Sequence, residues 1–269
     1  MFLPLFAIET RKTLKHPALW LGLGGLLLLL AFIVVVAHAQ IATGSQPASG
    51  GLEQDVLTGL LLFRWIGILV YAVAAAVICA YDFPDRALQM WLGRGVPRPL
   101  LLLVRLGIIL LSNLLLVSFA ILALLGLAAL SRFLFFGDVD ASNLHLAALL
   151  PAILFTFWGS LPYLALTVLL AMIGRSPLFA AGGTIVYASV IESLLGRLGE
   201  QYPKIIQYLP GRLMSVLLNG SVARAKAAPR PMPDASAMSQ LHAVLAAGAI
   251  FIVLSVISLI IFSRHDFSG

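Results

Sequence analysis

Residues Tyr81 to Arg105, YDFPDRALQMWLGRGVPRPLLLLVR, form a short charged helix-and-turn wedged between two apolar runs. Each run is long enough to cross a bilayer, so the stretch reads as a loop between two membrane spans. It carries the acids Asp82 and Asp85, the arginines Arg86, Arg94, Arg98 and Arg105, an exposed-looking Trp91 and a Pro97-Arg98-Pro99 corner. A passive anchor has no use for a loop of this composition.

The rest of the chain supports that reading. Hydrophobic residues make up 61% of its 269 positions and charged residues 10%, against roughly 25% charged in soluble domains. A soluble fold of this length cannot cover so much apolar surface, so the expected class is an all-α integral membrane protein, one transmembrane domain over 1–269. The formal charge of +6 would suggest nucleic acid only on a water-facing basic domain; here the basic residues sit in loops between apolar runs, so no nucleic-acid partner is expected. A single cysteine, Cys79, lies inside an apolar run and excludes a disulfide framework or a Cys-based metal site.

Six segments pass the test of about 20 mostly apolar residues, near 17–38, 56–80, 100–130, 146–173, 178–195 and 240–262. Arg11, Lys12 and Lys15 precede the first, Arg86, Arg94, Arg98 and Arg105 follow the second, Arg175 follows the fourth and Arg264 the sixth. The loop 39–55 has no basic residue and 131–145 has only Arg132. The positive-inside bias then puts both termini and the loop 81–99 in the cytoplasm. The loop 196–239 argues the other way, with Arg197, Lys204, Arg212, Arg224, Lys226 and Arg230 on what must be the outer side if six spans are right.

Residues 1–16 read as an amphipathic interfacial helix, with Leu5, Ile8 and Leu14 on one side and Glu9, Arg11, Lys12 and Lys15 on the other. Between spans five and six, Tyr202–Asn219 has an apolar pattern too short to span and reads as a re-entrant or surface-lying helix, followed by an Ala/Pro/Ser-rich tip at 221–237.

Several chemistries are excluded. There is no GxxxxGK[ST] loop to cradle nucleotide phosphates and no HExxH pair to hold zinc. Ser160 has neither a following glycine nor an obvious base, so the chain does not read as an enzyme. Ionisable residues within spans are the default functional candidates, and two qualify, Arg64 and Glu192. Arg64 lies about 12 Å into the second span at 1.5 Å per residue, and Glu192 lies near the outer end of the fifth. Both can face one cavity as a substrate pathway; the competing reading is that Arg64 snorkels outward and Glu192 meets water. Ser112, Asn113, Thr156, Thr167 and Ser189 read as helix-to-helix hydrogen-bonding residues.

With these residues in view, the chain resembles the membrane subunit of bacterial ABC exporters of the type-two permease superfamily, over nearly its whole length. The resemblance rests on Glu9-Thr10-Arg11-Lys12 before the first span, the loop Asp85-Arg86-Ala87-Leu88-Gln89 to Val96-Pro97-Arg98, Tyr208-Leu209-Pro210 outside, and Arg264-His265-Asp266 at the end. One departure is Tyr81-Asp82-Phe83-Pro84 where the family has a Glu-x-x-x-Gly-Thr-Leu run, so the contact acid is either Asp82 or Asp85. The resemblance implies six spans in the bacterial cytoplasmic membrane, pairing with a second permease copy or a paralogue, and a separate ATP-binding cassette ATPase that binds the ATP and Mg. It also implies that the loop is a coupling helix docked on that ATPase, with Asp82, Asp85, Arg86 and Arg94 as its charges and Leu88 and Trp91 as its anchor. No cofactor is expected in this chain itself. Its apolar spans, surrounded by membrane lipids, suit a lipid, hydrophobic peptide or drug as cargo. The runner-up reading is a secondary transporter or channel that works without an ATPase.

Overall fold

The computed structural model describes residues 2–43, 52–81, 95–137, 139, 146–198, 206–224 and 238–264. Regular structure among them is helical, without a strand. The N-terminal helix α1 (Phe2–Lys15) is followed by α2 (Pro17–Ala42), α3 (Leu52–Ala80), α4 (Arg98–Phe136) and α5 (Leu146–Gly174). Next, α6 (Pro177–Val186) passes through one turn of π-helix, Tyr187–Ile191, into α7 (Glu192–Leu198). The helices α8 (Pro210–Arg224) and α9 (Gln240–Arg264) complete the described chain.

Among the described residues, five stretches are long and apolar enough to cross a membrane: Gly22–Gln40, Arg98–Phe136, Leu149–Gly174, Pro177–Gly196 and Gln240–Arg264. The chain is thus an all-α, multi-pass membrane protein. The expected second span, 56–80, falls within α3, whose described apolar stretch, Ile66–Ala80, is shorter than a full span. The side chains of Arg64 and Trp65 just before it lie outside the described residues.

Local chemistry sets the helix ends. Pro17 opens α2 at a position where the missing N–H costs nothing. Before α4, Pro97 is extended (φ −62°, ψ 132°), with Pro99 in the first turn. That helix ends at Gly137, whose φ of +73° lets its N–H return to the Phe133 carbonyl. At 39 residues α4 is about 58 Å long, against an apolar core of about 30 Å, so it must tilt or project beyond the bilayer.

The centre of the bundle is α5, which packs on α3, α4, α6, α8 and α9. Its span is 56% buried, more than any other of the five. Small side chains allow the close approach: a Cβ at Gly159 would stand 2.9 Å from Met214 Cγ and 3.2 Å from Met214 Cα, on α8. Hydrogen bonds then fix the neighbours. The Asn113 amide donates to Ser160 Oγ at 2.8 Å, the Thr167 and Thr184 hydroxyls lie 2.9 Å apart, and Trp158 Nε1 donates to the Val244 carbonyl at 2.7 Å. Of the polar residues expected to bond between helices, Asn113 and Thr167 do so. Thr156 and Ser189 instead donate to carbonyls one turn back in their own helices.

Two expectations are refined. The helix α1 buries Leu5 and Glu9, one turn apart, while Ile8 and Leu14 are each 51% exposed. The expected division into an apolar side and a charged side therefore fails at Glu9, whose burial is explained by a partner on α4. Among the described residues of 196–239, the long helix is Pro210–Arg224, with Leu213, Met214, Leu217 and Leu218 all buried. Met214 meets Gly159 near the middle of α5, and α8 packs on both α5 and α9.

Candidate functional site

Residues 82–94, and with them Asp82, Asp85, Arg86, Leu88, Trp91 and Arg94, lie outside the described residues. The base on which that segment stands is described, and it is built from four elements. At the end of α3, Tyr81 packs edge-on against the ring of His16, between α1 and α2, with centroids 4.5 Å apart. The chain resumes at Gly95, whose φ of +78° favours glycine. Arg98, the first residue of α4, donates from Nη1 to the Ser263 carbonyl near the end of α9 at 3.3 Å.

Two turns further into α4 is Arg105, 2% exposed. Its Nη1 donates to the Cys79 carbonyl at 2.7 Å, and its Nη2 lies 3.9 Å from Glu9 Oε1 on α1. The last turn of α3 has carbonyls with no helical partner, so one is available to a guanidinium. Arg105 reads in sequence as one more cytoplasmic loop charge; instead it is an interior residue that ties α1, α3 and α4 together. A charge inside LLLLVRLGIILL could have signalled this, because an intramembrane arginine requires a partner. Glu9 was hidden by its amphipathic surroundings, where charge normally marks the solvent side.

The second cluster is centred on Glu192. The π-turn Tyr187–Ile191 ends at this residue, whose N–H donates back to the Tyr187 carbonyl. Such a turn inserts an extra residue and rotates the next stretch of helix relative to the one before it. The Glu192 carboxylate accepts the Tyr163 hydroxyl on Oε2 and the Gly211 backbone N–H on Oε1, both at 2.6 Å. Gly211 lies in the first turn of α8, where N–H groups have no intrahelical acceptor and an acid is favoured. The carboxylate therefore joins α5, α7 and α8. A Cβ at Gly211 would come within 2.7 Å of Glu192 Oε2 and 3.0 Å of the Tyr163 hydroxyl, so a side chain there would have to displace them. Arg64 lies one helical turn before Ile68, which packs with Tyr163, Ala188, Met214 and Leu218. Its backbone is thus near the Glu192 region; its side chain is outside the described residues.

A third cluster sits where α2, α3 and α4 meet at their other ends. Asp55 Oδ2 accepts from Arg132 Nε and lies 3.1 Å from His38 Nε2, while His38 Nδ1 lies 3.0 Å from the Val34 carbonyl. Arg132, expected as the one basic residue of the loop 131–145, lies instead in the last turns of α4 and is matched by an acid rather than left as a free topological charge. Among the described residues, no group of three or more His, Cys, Asp or Glu side chains is placed to hold a metal ion. No protein-family model and no curated protein matches the chain.

Proposed function

We propose that this chain is the membrane-spanning subunit of an ATP-driven exporter, working with a separate ATP-binding cassette subunit and a second permease copy or paralogue. In this reading it has six spans in a bacterial cytoplasmic membrane with both termini inside. The observation that carries the reading is the base of the 82–94 loop, where Arg105 joins α1 and α4 to the last turn of α3. A force applied to the loop from outside the bilayer would reach the spans through a braced junction rather than a hinge. The loop charges Asp82, Asp85, Arg86 and Arg94 orient the contact, and Leu88 and Trp91 fill the partner's groove. Aromatic and arginine residues dominate such interfaces, where truncating one can cost about 2 kcal/mol or more. The cargo is a lipid, hydrophobic peptide or drug, taken from the bilayer by apolar walls.

The decisive experiment is purification of the tagged chain from native membranes, with partner identification and an ATPase assay. A stoichiometric ATPase whose hydrolysis is uncoupled from transport by Trp91→Ala or Arg86→Glu supports the proposal. Variants that hold the ATPase and transport normally refute the coupling role. Isolation of the chain alone, with transport but no ATPase, favours a secondary carrier instead. Glu192, an acid within a span hydrogen-bonded to Tyr163, would then be the first residue to test.

A further inference from the structure

A groove of about 530 Å³ runs between α1, α2, α3 and α4. Its walls are apolar, formed by Val73 and Ala74 of α3 and by Leu111, Leu115 and Phe119 of α4, with Trp20 of α2 at its rim. Its α4 wall runs from Ile108 to Phe119, about 17 Å at the rise of an α-helix. Walls of this composition suit hydrocarbon.

One end of the groove is polar and basic. Thr10, Thr13 and His16 line it there, and a small adjoining recess is formed by Lys12, His16 and Tyr81 together with the acid Glu9. Thr10 Oγ is buried there without a hydrogen bond. The exposed charges of α1 are Arg11, Lys12 and Lys15; its one acid, Glu9, is buried beside Arg105. The groove is therefore apolar along its length and cationic at one mouth, at the level where an interfacial helix meets headgroups.

We propose that this groove holds one membrane phospholipid with an anionic headgroup, its acyl chain against α3 and α4 and its phosphate at Lys12 and His16. The site is separate from the Glu192 cluster and does not depend on an ATPase partner. The bound lipid fills the wedge between α1 and the spans and adds anionic lipid as a condition for seating α1.

The test is native mass spectrometry of the full chain in mild detergent, offered equal amounts of phosphatidylglycerol and phosphatidylcholine with matched acyl chains. The expected result is one retained lipid per chain, with phosphatidylglycerol preferred. Lys12→Gln should lower that preference about fivefold, and Lys12→Gln/Lys15→Gln further, as expected for losing individual basic contacts at a membrane surface. Ala74→Leu, which fills the groove from α3, should abolish retention of either lipid. Should Ala74→Leu fail to fold, Leu111→Trp narrows the groove from a side chain that is already 40% exposed. Equal retention of both lipids by the wild type overturns the proposal, as does full retention in Leu111→Trp. A change in oligomeric state in Leu111→Trp with lipid retention intact would mark the groove as a contact between copies, and also overturns it.

Discussion

Arg105 and Cys79 are joined by a 2.7 Å hydrogen bond from guanidinium to backbone carbonyl, across the base of the 82–94 loop. With Glu9 3.9 Å away on the same guanidinium, an N-terminal helix outside the main spans becomes part of the packed interior. Side-chain exposures of 2% for Arg105 and 5% for Glu9 leave little water to replace either partner.

Removing one member of this pair leaves an uncompensated charge. Arg105→Met is expected to lower stability by about 3–5 kcal/mol, whereas Glu9→Leu/Arg105→Met should recover most of that loss. Thermal melts of the single and double variants in detergent test this. A double variant no more stable than Arg105→Met would show that the Cys79 bond, and not the charge pair, carries the effect.

At Gly211 a methyl group collides with the Glu192 carboxylate and the Tyr163 hydroxyl. Gly211→Ala should displace Glu192 and cost about 1–3 kcal/mol, the range for overpacking a close contact. Tyr163→Phe removes one donor without bulk and should cost about 1–3 kcal/mol through a carboxylate left short of a partner. Melting temperatures of the two variants, and amide exchange in the first turn of α8, read the outcome.

Glycines divide sharply by surroundings. Gly159→Ala should destabilise by about 1–3 kcal/mol, because the Met214 backbone at 3.2 Å cannot move as a side chain can. Gly24→Ala meets nothing within 4 Å and should be neutral, or stabilise α2 by up to about 1 kcal/mol. Paired thermal denaturation of the two variants distinguishes them directly.

The Asp55 cluster makes a separable prediction. Asp55→Asn weakens the contacts to both Arg132 and His38, so the facing ends of α2, α3 and α4 should exchange amide hydrogens faster. The Arg105 end of the same helices should be unchanged. Faster exchange at both ends would mean that the two clusters are one cooperative unit.

The helical class was legible because long apolar runs leave few alternatives in a bilayer. Glu192 was legible as a candidate for the same reason: an acid in an apolar run has to be explained. Its partners were not, since Tyr163 and Gly211 are distant in sequence and ordinary in kind. Arg105 was misread because nearness to Arg98 placed it with the loop charges, although Leu and Ile residues enclose it. The π-turn before Glu192 leaves no sequence mark, as YASVI reads like any apolar helical segment. Helical periodicity identifies faces but not what meets them, and each of these residues is defined by what it meets.

The Glu9–Arg105 pair also orders biogenesis. Glu9 is in α1, and its partner on α4 is not made until α2 and α3 have both been synthesised. During that interval the carboxylate remains in water or at the interface, and α1 has no permanent seat. The helix α1 is therefore positioned by residues translated after it, and its docking is expected to be a late event of folding. A nascent chain arrested before α4 should leave α1 open to protease, and one arrested after Phe136 should protect it.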